Sequence, residues 1–138
     1  MMVLVDTPVW SLALRRKQGD LSPGEQDLKT ALQELVQDGR AQIVGPVRQE
    51  LLSGIRAEET FRKLCDTLRA FDEPQLRTED YEEAARINNL CRARGIAGSA
   101  VDFLICAIAN LRNWEVFTTD RDFAHYRTVL NIKLFSAA

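Results

Sequence analysis

The chain has 138 residues, 46% of them hydrophobic and 28% charged, with a formal net charge of −2. That length suits a single domain spanning 1–138 with one sizeable core, and the make-up is ordinary for a soluble globular protein. No apolar run approaches the roughly 20 residues needed to span a bilayer, so no membrane role is expected.

The N-terminus lacks the basic region, long apolar core and small-residue cleavage site of a secretory signal. The expected location is therefore the cytoplasm. The charge balance is not the basic footprint of a general nucleic-acid binder, although 18 Lys and Arg remain for a local rim. Cys65, Cys91 and Cys106 are odd in number, widely spaced and set in apolar patterns. This argues against disulfides and a thiolate zinc site. His125 is the one histidine, so a triad or an imidazole metal site would rest on it alone.

Val3–Val5 reads as a short buried strand that delivers Asp6 to a turn. Thr7 is expected to cap the next helix, with Pro8 at its first position and its end near Lys17. Ser22 and Glu25 have capping-box spacing, and Leu28, Ala31, Leu32, Leu35 and Val36 line one face of the helix they open. Ala41–Gly45 predicts a second strand, and Pro46 opens a helix that stops near Gly54. Glu58–Arg69 is a further helix. Ala70–Leu76 is a candidate third strand, placed at an edge by Pro74.

Thr78 is expected to cap a long helix to Arg94, which Gly95 stops. Ser99 starts another helix, with Asp102 in its first turn. Val116–Thr119 and Ile132–Phe135 are the last two strands, with a short turn or helix from Asp120 between them. Alternation of this kind predicts an α/β fold with a mostly parallel sheet, in which ligands sit at the carboxyl ends of strands where the strand order reverses.

The acids fall at informative places. Asp6 and Asp120 follow the first and fourth strands, Asp122 lies two residues on, and Glu50 and Asp102 sit near the starts of two helices. Each has a bland explanation alone: a turn residue, a helix-dipole partner, a solvated glutamate. As a set they converge on one edge of the predicted sheet. Carboxylates a few ångströms apart repel and raise one another's pKa, unless a cation lies between them. Oxygen ligands without imidazole or thiolate suit Mg²⁺ or Mn²⁺, and such ions activate water for in-line attack on a phosphodiester.

Four stretches, VLVDTPVW, VRQELLSGI, SAVDFLICAIA and VFTTDRDF, stand in an order and spacing that resembles the PIN domain. More narrowly they resemble the VapC toxins of toxin–antitoxin modules, over nearly the whole chain. The resemblance implies a three-layer α/β/α sandwich around a five-stranded parallel sheet in the order 3-2-1-4-5. It implies an Mg²⁺- or Mn²⁺-dependent endoribonuclease that cuts RNA, is inhibited by a cognate VapB-like antitoxin and forms a homodimer. Carried over by position, Asp6, Glu50, Asp102 and Asp120 match the family's acidic quartet. Asp122 matches a further, supporting acid. Thr7, Ser99 and Thr118 or Thr119 match hydroxyl positions that orient the acids or cap the helices. One departure stands out: Pro8 occupies a place where the opening motif commonly has Ser.

An acidic site that receives RNA needs a cationic rim for the phosphates. Arg15, Arg16, Arg48 and Arg121 are the leading candidates. Trp10 is expected in the core, and Leu14 with the Phe61–Leu68 region is a candidate groove for an antitoxin helix. Two alternatives stay open: a PIN nuclease of RNA maturation without an antitoxin, and a non-catalytic RNA-binding or interaction module.

Overall fold

The computed structural model describes residues 1–137. Its centre is β1 (Val3–Val5), in which all three side chains are buried. A continuous apolar run without alternation is what a strand covered on both faces requires. β1 pairs in parallel with β2 (Ala41–Gln42) on one side and with β3 (Glu115–Phe117) on the other, and β3 pairs in parallel with β4 (Lys133–Leu134). Among the described residues the sheet order is β2-β1-β3-β4.

The sheet therefore has four strands where five were expected. The segment expected as the third strand, 70–76, is reduced to a single parallel bridge between Gln42 and Asp72. The Ile43 N–H donates to the Asp72 carbonyl at 2.9 Å, and Pro74 then removes a backbone donor, which ends the ladder. The bridge occupies the edge assigned to that strand, so the expected order survives in the four strands that form.

The first connection carries α1 (Thr7–Leu14) and α2 (Pro23–Gln37), and leads from β1 to β2. The second carries α3 (Gly45–Leu52), α4 (Glu58–Leu68), α5 (Thr78–Ala93) and α6 (Ala100–Arg112), and crosses back to β3. α7 (Asp122–Tyr126) links β3 to β4. The β1-to-β2 and β3-to-β4 steps run in opposite directions across the sheet. Right-handed crossovers then put their helices on opposite faces, giving three layers. The order reverses between β1 and β3, which are neighbours. α6 is buried continuously from Phe103 to Ala109 and lies against both of these strands and α5. A helix that is apolar on nearly every side belongs in such a central position.

Local chemistry explains the helix ends. The Ser22–Glu25 capping box forms as expected, with the Glu25 N–H donating to Ser22 Oγ and the Ser22 N–H to Glu25 Oε1. Two expected caps move by one residue: Asp6 rather than Thr7 caps α1, and Arg77 rather than Thr78 precedes α5. In each case a carboxylate wins the amide. Asp6 accepts from Thr7 N–H, and Asp80 reaches back to Arg77 N–H. α1 also ends at Leu14 rather than Lys17, because Arg15, Arg16 and Lys17 are exposed like charges with no apolar face to hold. Gly95 adopts φ +76° after α5, a left-handed turn that any side chain would strain.

Trp10 is fully buried. Its Nε1–H donates to the Val5 carbonyl at 2.9 Å, and its ring lies 4.6 Å from that of Phe71. The start of α1 is thus fixed to the end of β1, directly behind Asp6.

Candidate metal centre

The register of β1 and β3 builds the site. Val5 is opposite Phe117, and the Asp6 N–H continues the ladder by donating to the Phe117 carbonyl at 2.9 Å. The next residue on each strand, Asp6 and Thr118, therefore leave the sheet side by side. The Thr118 hydroxyl donates to Asp6 Oδ2 at 2.8 Å and accepts from the Asp120 N–H at 3.0 Å. One threonine thus ties together acids that stand 114 residues apart in the chain (positions 6 and 120). Asp120 Oδ1 in turn accepts the Asp122 N–H at 2.9 Å, an Asx turn that opens α7.

Asp102 arrives from the central helix. Ser99 caps α6 by accepting the Asp102 N–H at 3.0 Å, which places Asp102 in the first turn, facing the ends of β1 and β3. Its Oδ2 accepts a hydrogen bond from the buried Tyr126 hydroxyl at 2.6 Å. Asp6, Asp102 and Asp120 each offer one carboxylate oxygen, and these oxygens all lie within 4.8 Å of one another. Glu50 stands outside this group. It is exposed on α3, and its Oε2 accepts from the Thr7 hydroxyl at 2.9 Å. Thr7 therefore links Glu50 to Asp6, to which it gives its backbone N–H at 2.9 Å.

The electrostatics follow from this crowding. Asp6 is only 5% exposed. Burial pushes its pKa from 3.8 to about 6; the Thr118 and Thr7 hydrogen bonds oppose the rise, and the charges of Asp102 and Asp120 add to it. Asp102 also lies above the ordinary carboxylate range. Burial is the main cause, with Asp120 and Asp122 adding to it against the bonds from Tyr126 and Ser99. Burial, with Asp102 and Asp6 nearby, likewise holds the Cys106 thiol far above its usual value, so it is a protonated core residue and not a nucleophile.

The donor set is compatible with a hard divalent cation. It consists of carboxylate oxygens only, from three separate segments, within one ion's reach of each other, and no Lys or Arg is paired with any of them among the described residues.

The remaining expected residues divide clearly. Thr119 and Asp122 are exposed beside Asp120, and Pro8 is exposed in the first turn of α1. Arg16 is paired with Glu25 at 2.6 Å and Arg48 with Glu73 at 2.9 Å. Arg15 and Arg121 are exposed and form no ion pair among the described residues. Of the two threonines left open by the sequence, Thr118 is the one that bonds to Asp6. Tyr126 was not anticipated. Its signal was available in the i, i+3 spacing of Phe123 and Tyr126, both of which face inward from α7.

The PIN domain family model matches residues 3–129, and the chain belongs to that family, whose members are in general nucleases. The fold is shared with solved structures of low sequence identity. VapBC2 from Rickettsia felis, bound to a promoter DNA fragment, matches at 14% identity with a TM-score of 0.74, over 98% of this chain and 98% of that one. FitAcB from Neisseria gonorrhoeae matches at 19% identity and a TM-score of 0.71, over 99% and 98%. A toxin–antitoxin complex from Klebsiella pneumoniae matches at 17% and 0.69, over 96% and 99%. No curated protein matches the sequence significantly.

Proposed function

We propose that this chain, as a single PIN domain over 1–138, is a VapC-type toxin: a cytoplasmic endoribonuclease that uses Mg²⁺ or Mn²⁺ and is inhibited by a cognate VapB-like antitoxin. The observation that carries the reading is the convergence of Asp6, Asp102 and Asp120, three carboxylates with no Lys or Arg paired to them among the described residues. Nothing in the chain's own chemistry rewards that crowding, whereas a divalent ion does. When bound, such an ion supplies water activation and neutralises charge that builds on the scissile phosphate.

The chain's own residues prepare the site. Thr118 and Thr7 hold both oxygens of Asp6, and Thr118 also fixes the backbone of Asp120. Ser99 fixes the backbone of Asp102. Glu50, linked to Asp6 through Thr7, supports the site from its exposed side. Arg15 and Arg121, which have no acidic partner among the described residues, are the better candidates for holding RNA phosphates; Arg16 and Arg48 would first have to leave Glu25 and Glu73.

The antitoxin reading is supported by the structural relatives, among them a toxin–antitoxin complex, and by a groove of about 650 Å³ between the end of α1 and α4. Ala13, Leu14, Ile55 and Leu64 give the groove an apolar lining, and Arg15, Arg56 and Lys63 stand beside them. An amphipathic helix with acidic flanks suits that surface. The protein is expected to act as a homodimer.

The test is cleavage of total cellular RNA by antitoxin-free protein with Mg²⁺ or Mn²⁺, with chelator, and with Asp6→Asn, mapping the new 5′ ends. Discrete cuts that need the metal and vanish in the variant are expected. Cuts that persist in chelator or in folded Asp6→Asn would overturn the proposal.

A further inference from the structure

The metal reading leaves the buried Tyr126 hydroxyl without a role. Tyr126, in the last turn of α7, is fully buried, with its ring 5.2 Å from that of Phe103 and 5.1 Å from that of Phe123. A buried phenol requires a hydrogen-bond partner, and a backbone carbonyl would satisfy it. Here the partner is Oδ2 of Asp102, one of the three converging acids, at 2.6 Å.

The surroundings are shaped around that bond. A Cβ placed on Gly98 would lie 2.7 Å from the Tyr126 hydroxyl oxygen and 2.6 Å from Phe103 Cζ. Contacts that short are not tolerated, so the loop entering α6 must lack a side chain there for the hydroxyl to reach Asp102. The next residue, Ser99, accepts the Asp102 N–H. Two adjacent loop positions thus act on the same acid: Ser99 fixes its backbone, and Gly98 admits the group that fixes its carboxylate. Without that tether, repulsion from Asp6 and Asp120 would favour rotamers that turn Asp102 out towards solvent.

We propose that Tyr126 is a positioning residue for the metal centre: its hydroxyl holds Oδ2 of Asp102 so that the carboxylate stays aimed at Asp6 and Asp120, and Gly98 provides the space that makes this possible. The inference rests on the metal reading above. It is independent of which RNA is cut. Groups that orient a metal ligand typically change affinity about 10- to 100-fold when removed.

Calorimetric titration of the full chain with Mn²⁺ tests it, alongside the thermal unfolding of each protein. Wild type, Tyr126→Phe, Gly98→Ala and Leu68→Ala are compared. Tyr126→Phe keeps the ring and its packing, and Gly98→Ala displaces the hydroxyl from the other side. Leu68, fully buried at the end of α4, an element that contributes none of the three acids, calibrates pure destabilisation. The expected result is a loss of Mn²⁺ affinity of about 10- to 100-fold in Tyr126→Phe and Gly98→Ala, and wild-type affinity in Leu68→Ala despite its lower melting temperature. A folded Tyr126→Phe with wild-type affinity overturns the positioning role and leaves the metal reading standing. A wild type that binds no Mn²⁺ overturns both. Should Tyr126→Phe not fold, Gly98→Ala decides by the same criterion.

Discussion

Asp6 and Asp80 are both buried acids at the starts of helices, 5% and 2% exposed, and the chain treats them in opposite ways. Asp80 is given a cation. Arg112 donates from Nη1 to Oδ1 at 2.6 Å and from Nη2 to Oδ2 at 3.0 Å; the same Nη2 donates to the Gln75 carbonyl at 3.2 Å, and the guanidinium stacks 5.6 Å from the Trp114 ring. The bonds from Arg112 hold Asp80 below the usual carboxylate range, against the effect of burial. Asp6 is given two hydrogen bonds, no cation and two like-charged neighbours, and rises to about 6. A buried carboxylate neutralised by its own chain is a structural fastening. One left unneutralised beside two more is the place that the proposed cation would fill.

Breaking the paired acid should have the largest effect on stability and little on chemistry. Asp80→Asn leaves the partly buried Arg112 guanidinium without its counter-ion, and loss of charge-assisted hydrogen bonds of this kind should cost about 1.5–3 kcal/mol. Urea unfolding should show that loss, while any Mn²⁺ affinity of the folded fraction stays at the wild-type value.

Neutralising the unpaired acid should do the reverse. Asp6 ionises near 3.8 when unfolded and near 6 when folded. The metal-free protein therefore loses stability as the pH rises across that interval, by on the order of 2–3 kcal/mol. Asp6→Asn removes that penalty but also one acceptor oxygen. We expect it to stabilise the metal-free protein by about 1–2 kcal/mol at neutral pH, with the difference shrinking as the pH falls from about 6 to about 4 and lost below that, where wild-type Asp6 is protonated in both states. Unfolding curves at both pH values, with chelator present, check this.

Thr118→Val sharpens the comparison further. It removes the bond to Asp6 and the acceptor for Asp120 N–H, and should cost about 1 kcal/mol. It should also weaken Mn²⁺ binding, because Asp6 and Asp120 lose their shared clamp. Ser22→Ala has the smallest expected effect. It removes one side of the α2 capping box, lowers stability by about 1 kcal/mol or less, and leaves metal affinity untouched.

Much of this was legible in the sequence, because local chemistry and burial pattern agreed. Val3–Val5 could only be a covered strand, and the Ser22 and Ser99 caps were written in residue type and spacing. The convergence of Asp6 and Asp120 followed from the strand order that the PIN resemblance implies, which sets their two strands side by side. What escaped depended on competition between groups. Asp6 and Thr7 are both good caps, and at α5 the Asp80 carboxylate reaches back to the Arg77 amide although Thr78 is the better cap by residue type; only the folded geometry shows which oxygen meets which amide. The strand at 70–76 failed because Pro74 ended a ladder that the apolar residues alone would have continued. Tyr126 escaped because its partner lies 24 residues away, and a phenol in a short helix does not announce whether it meets a carbonyl or a carboxylate.

The most direct measurement is the thermal unfolding of wild type and Asp6→Asn at neutral pH, each with chelator and with millimolar Mn²⁺. A ligand that binds only the folded state raises its stability in proportion to its affinity. If the three acids form a cation site, Mn²⁺ raises the melting temperature of wild type, and Asp6→Asn, already more stable without metal, gains little or nothing. A wild type indifferent to Mn²⁺, or a variant that gains as much as wild type, would contradict the account.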